Sequence, residues 1–242
     1  MTYDPKRRHR RSIRLKGYDY TQPGAYFVTI CTHNREPLFG RMVDGDMVLN
    51  VFGEMVWAWW REIPDHFLHV ELDAFVAMPN HVHGIIWIVG HHVRARYAKN
   101  VGATHARAKN VGARHAVPLQ NGETIPRYEQ FCKPVPGSIP TIIRSFKSAV
   151  TRRINEMRDT PGARVWQRNY YEHIIRNDRA LNAIRHYITE NPLSWHLDRY
   201  NPDRRGTDPL AHEIWNMIQI PFVGAQRRCA PTNGQNGGEG HE

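Results

Sequence analysis

The chain alternates short apolar runs of strand character with longer stretches in which apolar residues recur at helical spacing. Gly24 to Thr32 is rich in β-branched and aromatic side chains and predicts a first strand. Asp44-Gly45, between Met42-Val43 and Met47-Val48-Leu49, predicts a hairpin turn. From Asn50, an N-cap residue, apolar side chains at 51, 52, 55, 56, 59 and 60 make a helical stripe that ends before Pro64. Trp57, Trp59 and Trp60 on it read as packing rather than a base-stacking platform. Strands follow at Val70 to Met78 and His81 to Val89. Ser138 can cap a second long helix, with Pro140 in its first turn and a stripe at Ile139, Ile142, Ile143, Phe146, Val150 and Ile154. Val165-Trp166 and Tyr170 to Ile175 read as a further strand, and Asp178 to Asn191 as a helix stopped by Pro192. Strands grouped by hairpins with helices interposed predict an α+β fold, an antiparallel sheet with helices on one side.

The 242 residues suit one domain with appendages. The expected layout is a basic arm over 1–20, a single domain over 21–200 interrupted by a flexible insertion at about 91–137, and a C-terminal tail over 201–242. In the insertion, Lys99-Asn100-Val101-Gly102-Ala103 recurs as Lys109-Asn110-Val111-Gly112-Ala113, an echo too short to build a solenoid. His91, His92, His105 and His115 lie in or beside it and read as solvated loop residues. The tail has one apolar cluster, Ile214 to Phe222, and its Gly/Asn/Gln-rich end is expected to be disordered.

Charge narrows the partner. Lys and Arg number 33 against 23 Asp and Glu, a formal net charge of +10, which favours a polyanion, and nucleic acid over a membrane surface. No apolar run approaches the roughly 20 residues of a membrane span, and the N-terminus has no signal core. Cys31, Cys132 and Cys229 are odd in number and far apart, so neither a disulfide framework nor a zinc knuckle is indicated. A reducing, cytoplasmic and nucleoid-associated setting is expected. The candidate phosphate contacts are Lys6, Arg7, Arg8, Arg10 and Arg11 in the arm, Arg144, Lys147 and Arg152 on the polar face of the second helix, and Arg168.

His81 and His83 flank Val82 at the head of an apolar strand, so both point to one face. Two imidazoles there are either hydrogen-bonded core residues or a metal pair. Tyr187 and Asn191 stand four apart on the last helix and share a face beside the stripe of Leu181, Ile184 and Ile188. By spacing alone they read equally as an edge-of-core aromatic and a C-terminal helix residue.

Arg11-Ser12-Ile13-Arg14-Leu15, Gly24 to Thr29, Met78-Pro79-Asn80-His81-Val82-His83-Gly84, Ser145 to Ser148, Val165 to Arg176 and Tyr187 to Pro192 together resemble the REP-associated tyrosine transposases, within the single-tyrosine HUH transposases of bacterial insertion sequences. The resemblance covers roughly residues 11–89 and 138–202. It implies a ferredoxin-like HUH palm, His81 and His83 as metal ligands, Tyr187 as nucleophile and Asn191 as third ligand, where many relatives place Gln. Tyr170 and Tyr171 are rival nucleophiles without a ligand partner four residues on. Glu172 and His173 are candidate supports of the site, or strand-edge structural residues.

The implied activity is that of a DNA transposase, a single-strand endonuclease and strand transferase. It would act on hairpin DNA through a 5′-phosphotyrosine, with Mg²⁺ or Mn²⁺ as the metal. A phenol with a pKa of about 10 needs an electrophile activated by a cation. One phosphodiester replaces another, so no nucleotide is consumed, in keeping with the absence of a Gly-x-x-x-x-Gly-Lys loop. The alternative is a catalytically idle, domesticated DNA-binding protein on the same palm, and either a homodimer or a monomer fits.

Overall fold

A computed structural model describes residues 15, 17–89 and 135–218. The basic arm with Lys6, Arg7, Arg8, Arg10 and Arg11, most of the insertion, and the end of the tail lie outside them.

The chain order is β1 (Gly24–Cys31), a 3-10 turn (His33–Arg35), β2 (Gly40–Val43), β3 (Asp46–Leu49), α1 (Val51–Arg61), α2 (Ile63–His66), β4 (Val70–Met78), β5 (His81–Ile88), α3 (Ile139–Met157), β6 (Tyr171–Ile175), α4 (Asp178–Glu190), a second 3-10 turn (Trp195–Leu197) and α5 (Pro209–Ile218). Local chemistry explains most boundaries. Asp44 and Gly45 both hold positive φ, 51° and 88°, as a two-residue hairpin turn demands. The Asn50 side chain accepts from the N–H groups of Phe52 and Gly53, and Asn177 does the same for Ala180 at the head of α4. At Ser138 the expected cap is not made, because the hydroxyl donates backward to the Val135 carbonyl. The strand read over Val165-Trp166 and Tyr170–Ile175 narrows to β6, with Trp166 only bridging to Thr32.

β4, β5, β1 and β6 form one sheet in that order, every pair antiparallel, while β2 and β3 make a separate ribbon. With α1 between β1 and β4 and α3 between β5 and β6, this is the ferredoxin-like α+β arrangement. Helices cover both faces, not one. Val56 and Trp60 of α1 and Ile142, Phe146 and Val150 of α3 pack on Tyr26, Val28, Ile30, Val82 and Ile86. Leu181, Ile184, Tyr187 and Ile188 of α4 pack on Ala25, Phe27 and Ile85 across the sheet. The cause is visible in β1 and β5, which are buried along nearly their whole length instead of on alternate residues.

Two contacts fix the helices that matter for the site. On the α1 face, Trp60 stacks on Phe75 with ring centres 4.6 Å apart. Gly84 makes room, since a Cβ there would come within 2.3 Å of the indole. On the other face, a bulge between Leu72 and Phe75 turns Asp73 outward, where it accepts from Arg185 Nε at 2.9 Å, Arg185 Nη2 at 2.6 Å and Trp87 Nε1 at 3.0 Å. That fork ties α4 to β4 two residues before Tyr187. Beyond residue 200, expected as the start of a tail, α5 packs on α4 through buried Ile214.

Candidate metal centre and tyrosine

His81 and His83 lie on the central strand β5, opposite Met78 and Val76 of β4 and Cys31 and Thr29 of β1. Both point to the α4 face, and both are fully buried. Burial pushes both imidazoles below the usual histidine range, His81 to about 3 with help from the nearby Arg35 charge, so both are neutral at ordinary pH.

The tautomer of His81 follows from its neighbours. Asn80 Nδ2 donates to the carbonyls of Arg35 (3.2 Å) and Tyr200 (2.8 Å), which leaves Asn80 Oδ1 to accept from Nδ1 of His81 at 2.9 Å. Nε2 of His81 is therefore a bare lone pair. Thr29 Oγ1 lies 2.8 Å from Nδ1 of His83. The Thr29 hydroxyl can donate or accept there, and the Tyr187 hydroxyl lies 3.2 Å from Nε2 of His83. The two Nε2 atoms are 3.0 Å apart. Facing lone pairs at that distance repel unless a proton or a cation lies between them.

A third donor comes from beyond α4. Pro192 ends the helix, the 3-10 turn Trp195–Leu197 brings the chain back, and Asp198 arrives with Oδ2 3.9 Å from Nε2 of His81. Its other oxygen accepts from the Tyr200 N–H at 2.6 Å. Asn191, the C-cap of α4, donates Nδ2 to Asp198 Oδ2 at 3.1 Å, while its buried Oδ1 has no partner. The ligand atoms of His81, His83 and Asp198 all lie within 4.8 Å of one another, so this group could hold a metal ion. The residues fit one. Two imidazoles and a carboxylate suit a divalent ion of the first transition row, and 3.0 Å between nitrogens is close to the span of adjacent ligands about 2.1 Å from an octahedral ion. An orphaned amide oxygen is a fourth donor of the right kind.

Tyr187 is buried, its ring edge-on to Phe27 at 6.3 Å, and Phe27 in turn stacks on His83 at 5.5 Å. Burial first, then the Asp198 charge, pushes its phenol well above the ordinary value. Tyr171 lies on β6 opposite Thr29, also on the histidine face but with β1 between it and β5, and burial raises its phenol too. Tyr170 lines a groove beside α3. His173 lies opposite Phe27 on the histidine face, lowered to about 4 by burial and by Arg176. Glu172 lies opposite Val28 and therefore faces the other side of the sheet from the histidines.

The basic helix face sits on that other side as well. Arg144, Lys147, Arg152 and Arg168 line one groove of about 990 Å³ between α3 and the segment leading to β6, with Arg164 beside them. Lys147, lowered to about 8 by burial, donates to the carbonyl of Gln167 at 2.6 Å, and the Gln167 N–H donates to the carbonyl of Cys31 at the end of β1. The groove thus reaches the strand end opposite His81 without facing the histidines.

Asp198 carries no mark in the sequence pattern, and Asn80 and Thr29 stand in the motifs without an assigned role. The available signal is chemical: an Asp two residues before an aromatic, shortly after the helix-stopping proline.

An antiparallel ferredoxin-like sheet with a His-x-His pair on a central strand, met by a tyrosine from a covering helix, is the class of protein that fold and site define. No family model matches the chain. An uncharacterized protein of Haemophilus influenzae is 40% identical over 199 residues, which span 81% of this chain and 94% of that protein, and the chain belongs to its family. A solved REP-associated tyrosine transposase bound to a REP hairpin is similar at 15% identity with a TM-score of 0.44, covering 88% of this chain and 96% of that one.

Proposed function

We propose that the protein is a single-tyrosine HUH transposase, which nicks and transfers single-stranded hairpin DNA through a 5′-phosphotyrosine on Tyr187. The observation that carries this reading is the Tyr187 hydroxyl 3.2 Å from Nε2 of His83, itself 3.0 Å from Nε2 of His81. A buried phenol needs some partner, and here the one it finds belongs to the group whose ligand atoms could hold a metal ion.

His81, His83 and Asp198, with Asn191 as a further oxygen donor, would hold Mg²⁺ or Mn²⁺. When bound, such an ion polarises a non-bridging oxygen of the scissile phosphate. Asn80 fixes the His81 tautomer, Thr29 holds Nδ1 of His83, Asn191 orients the Asp198 carboxylate, and the Arg185–Asp73 fork holds α4 so that Tyr187 faces the pair. In the reaction the Tyr187 O–P bond forms as the P–O3′ bond breaks, and the phenol proton ends, in net terms, on the leaving 3′-oxygen. The covalent link preserves one phosphodiester-equivalent bond, so rejoining needs no nucleotide. Tyr187 and both histidines belong to one chain, so a second copy is not required to complete the site. The groove bearing Arg144, Lys147, Arg152 and Arg168 would take duplex phosphates of the hairpin stem.

The idle DNA-binding reading draws on a specific observation, the burial of His81, His83, Tyr187, Asn191 and Asp198 alike. One experiment separates the two. Wild-type protein incubated with labelled single-stranded hairpin DNA and Mn²⁺ should give a denaturant-resistant protein–DNA adduct. Tyr187→Phe should fold, bind the hairpin and form none at any metal concentration. An adduct from Tyr187→Phe would move the role to Tyr170 or Tyr171, and no adduct from wild-type protein on any hairpin would favour the idle protein.

A further inference from the structure

Outside the histidine centre lies a second cavity of about 470 Å³ on the C-terminal side, lined by Arg35, Arg199, Arg204 and His212, with Asp208 the one carboxylate among the described residues that line it. Asp208 is already engaged, accepting from the Leu210 N–H at 2.9 Å at the head of α5. The carboxylate keeps its charge, so the described lining carries three guanidinium groups against one carboxylate. The guanidinium carbons of Arg35 and Arg199 stand 5.6 and 5.4 Å from the centre of the Tyr200 ring. That ring is buried and packs on His81 with centres 4.6 Å apart and on His83 at 6.0 Å. One aromatic ring thus separates the two cations from the imidazoles.

Arg35 is also held in an unusual backbone conformation. It and Asn34 have φ of 58° and 53°, the left-handed region that non-glycine residues seldom adopt. Its carbonyl is fixed by Asn80, the residue that also orients His81 and holds the Tyr200 carbonyl. The strained turn that aims Arg35 is therefore built from the same amide that builds the histidine centre.

We propose that this cavity seats the backbone phosphates of the single strand next to the scissile one, with Arg35 and Arg199 as positioning residues and the Tyr200 ring between those two side chains and the metal centre. The proposal rests on the single-strand cleavage reading for the identity of its ligand. A forked guanidinium can grip two phosphate oxygens at once, and a volume near 470 Å³ is of nucleotide size. The described lining holds guanidinium groups and no Phe, Tyr or Trp, so it addresses the backbone of the strand and not its bases.

The test uses full-length protein, R35Q/R199Q and R204Q, the last changing an exposed residue. The probe is a short fluorescent oligothymidylate, titrated from low to moderate salt, with Mn²⁺ binding and thermal unfolding measured alongside. R35Q/R199Q should weaken oligothymidylate binding about tenfold at low salt. Its salt slope should fall by about 0.7 for each phosphate no longer neutralised, and R204Q should show a smaller drop. Mn²⁺ affinity should fall in neither, and should rise in R35Q/R199Q, because the charges that hold the imidazoles neutral also repel a cation there. R35K, which keeps the charge but not the fork, should retain the salt slope while losing affinity. Unchanged slopes in R35Q/R199Q and R204Q would overturn the proposal. So would loss of Mn²⁺ binding in step with oligothymidylate binding, which would make the arginines supports of the histidine centre. If the variants behave as expected and wild-type protein forms no covalent adduct, the seat stands and the cleavage reading falls.

Discussion

The Asn80 side chain donates to the Tyr200 carbonyl at 2.8 Å across 120 residues of sequence, joining the turn before the histidine strand to the segment that delivers Asp198. The same side chain holds the Arg35 carbonyl and Nδ1 of His81. Asn80→Ala should therefore lower stability by about 2–4 kcal/mol, since it strands buried partners, and weaken Mn²⁺ binding at least about tenfold by releasing the His81 tautomer. Urea unfolding and Mn²⁺ titration of the variant check both numbers. A variant as stable as wild type would mean water replaces the amide.

Asp198 and Asn191 make different contributions to the centre. Asp198→Asn keeps the shape and can still accept from the Tyr200 N–H but removes the charge, so Mn²⁺ affinity should drop by about 10- to 100-fold. Asn191→Ala should cost less, because the carboxylate remains. Electron paramagnetic resonance of free Mn²⁺ would rank the two variants, and the opposite ranking would make Asn191 the principal oxygen ligand.

Acid should destabilise the metal-free protein in a defined window. His81 and His83 stay neutral in the fold far below 6.5, whereas in the unfolded chain they take up protons near that value. The unfolded state then binds more protons below pH 6.5, so the stability is full above that pH and is lost as pH falls through it. At pH 5 the loss is about 2 kcal/mol per histidine. In chelator, His81→Gln should lose about 2 kcal/mol less than wild type between pH 7.5 and 5, measured by urea unfolding. Parallel curves for the two proteins would show that His81 does not carry this cost.

Gly84 is a packing residue inside the histidine motif. Gly84→Ala would bring a methyl within 2.3 Å of Trp60 and should destabilise by about 1–3 kcal/mol, shifting the denaturant midpoint without changing the slope. Trp60→Leu should recover part of that loss in the double variant, a coupling that a double-mutant cycle reads directly.

Much of this is legible in the chain. The Asp44-Gly45 turn, the Asn50 cap and the β4–β5 pair emerge from turn chemistry and periodicity, and the alternation at His81-Val82-His83 places both imidazoles on one face. The four-residue step from Tyr187 to Asn191 likewise brings both side chains into the buried face of α4. Two features are not so readily read. Helices on both faces do not show in α4, which has an ordinary amphipathic stripe, although the unbroken burial of β1 and β5 follows from their nearly continuous apolar runs. Asp198 and Arg35 are hidden because both sit at 3-10 turns, where no period points a side chain anywhere and only the long-range bonds of Asn80 and Tyr200 decide the geometry.

The placement of β1 at the centre of the sheet governs when the molecule can fold. Its nearest chain neighbours, β2 and β3, pair only with each other, and its own partners begin at residues 81 and 171. During synthesis the strand carrying Phe27 and Thr29 emerges with nothing to pair with, and it stays so until His83 is made, the residue 54 positions on from Thr29. At about 5–20 residues per second this is several seconds of exposed apolar strand, closed on its second side only after α3 is complete. A ribosome stalled within the stretch from 91 to 137 should therefore hold a nascent chain prone to aggregation, with a histidine pair but no tyrosine or aspartate to complete it.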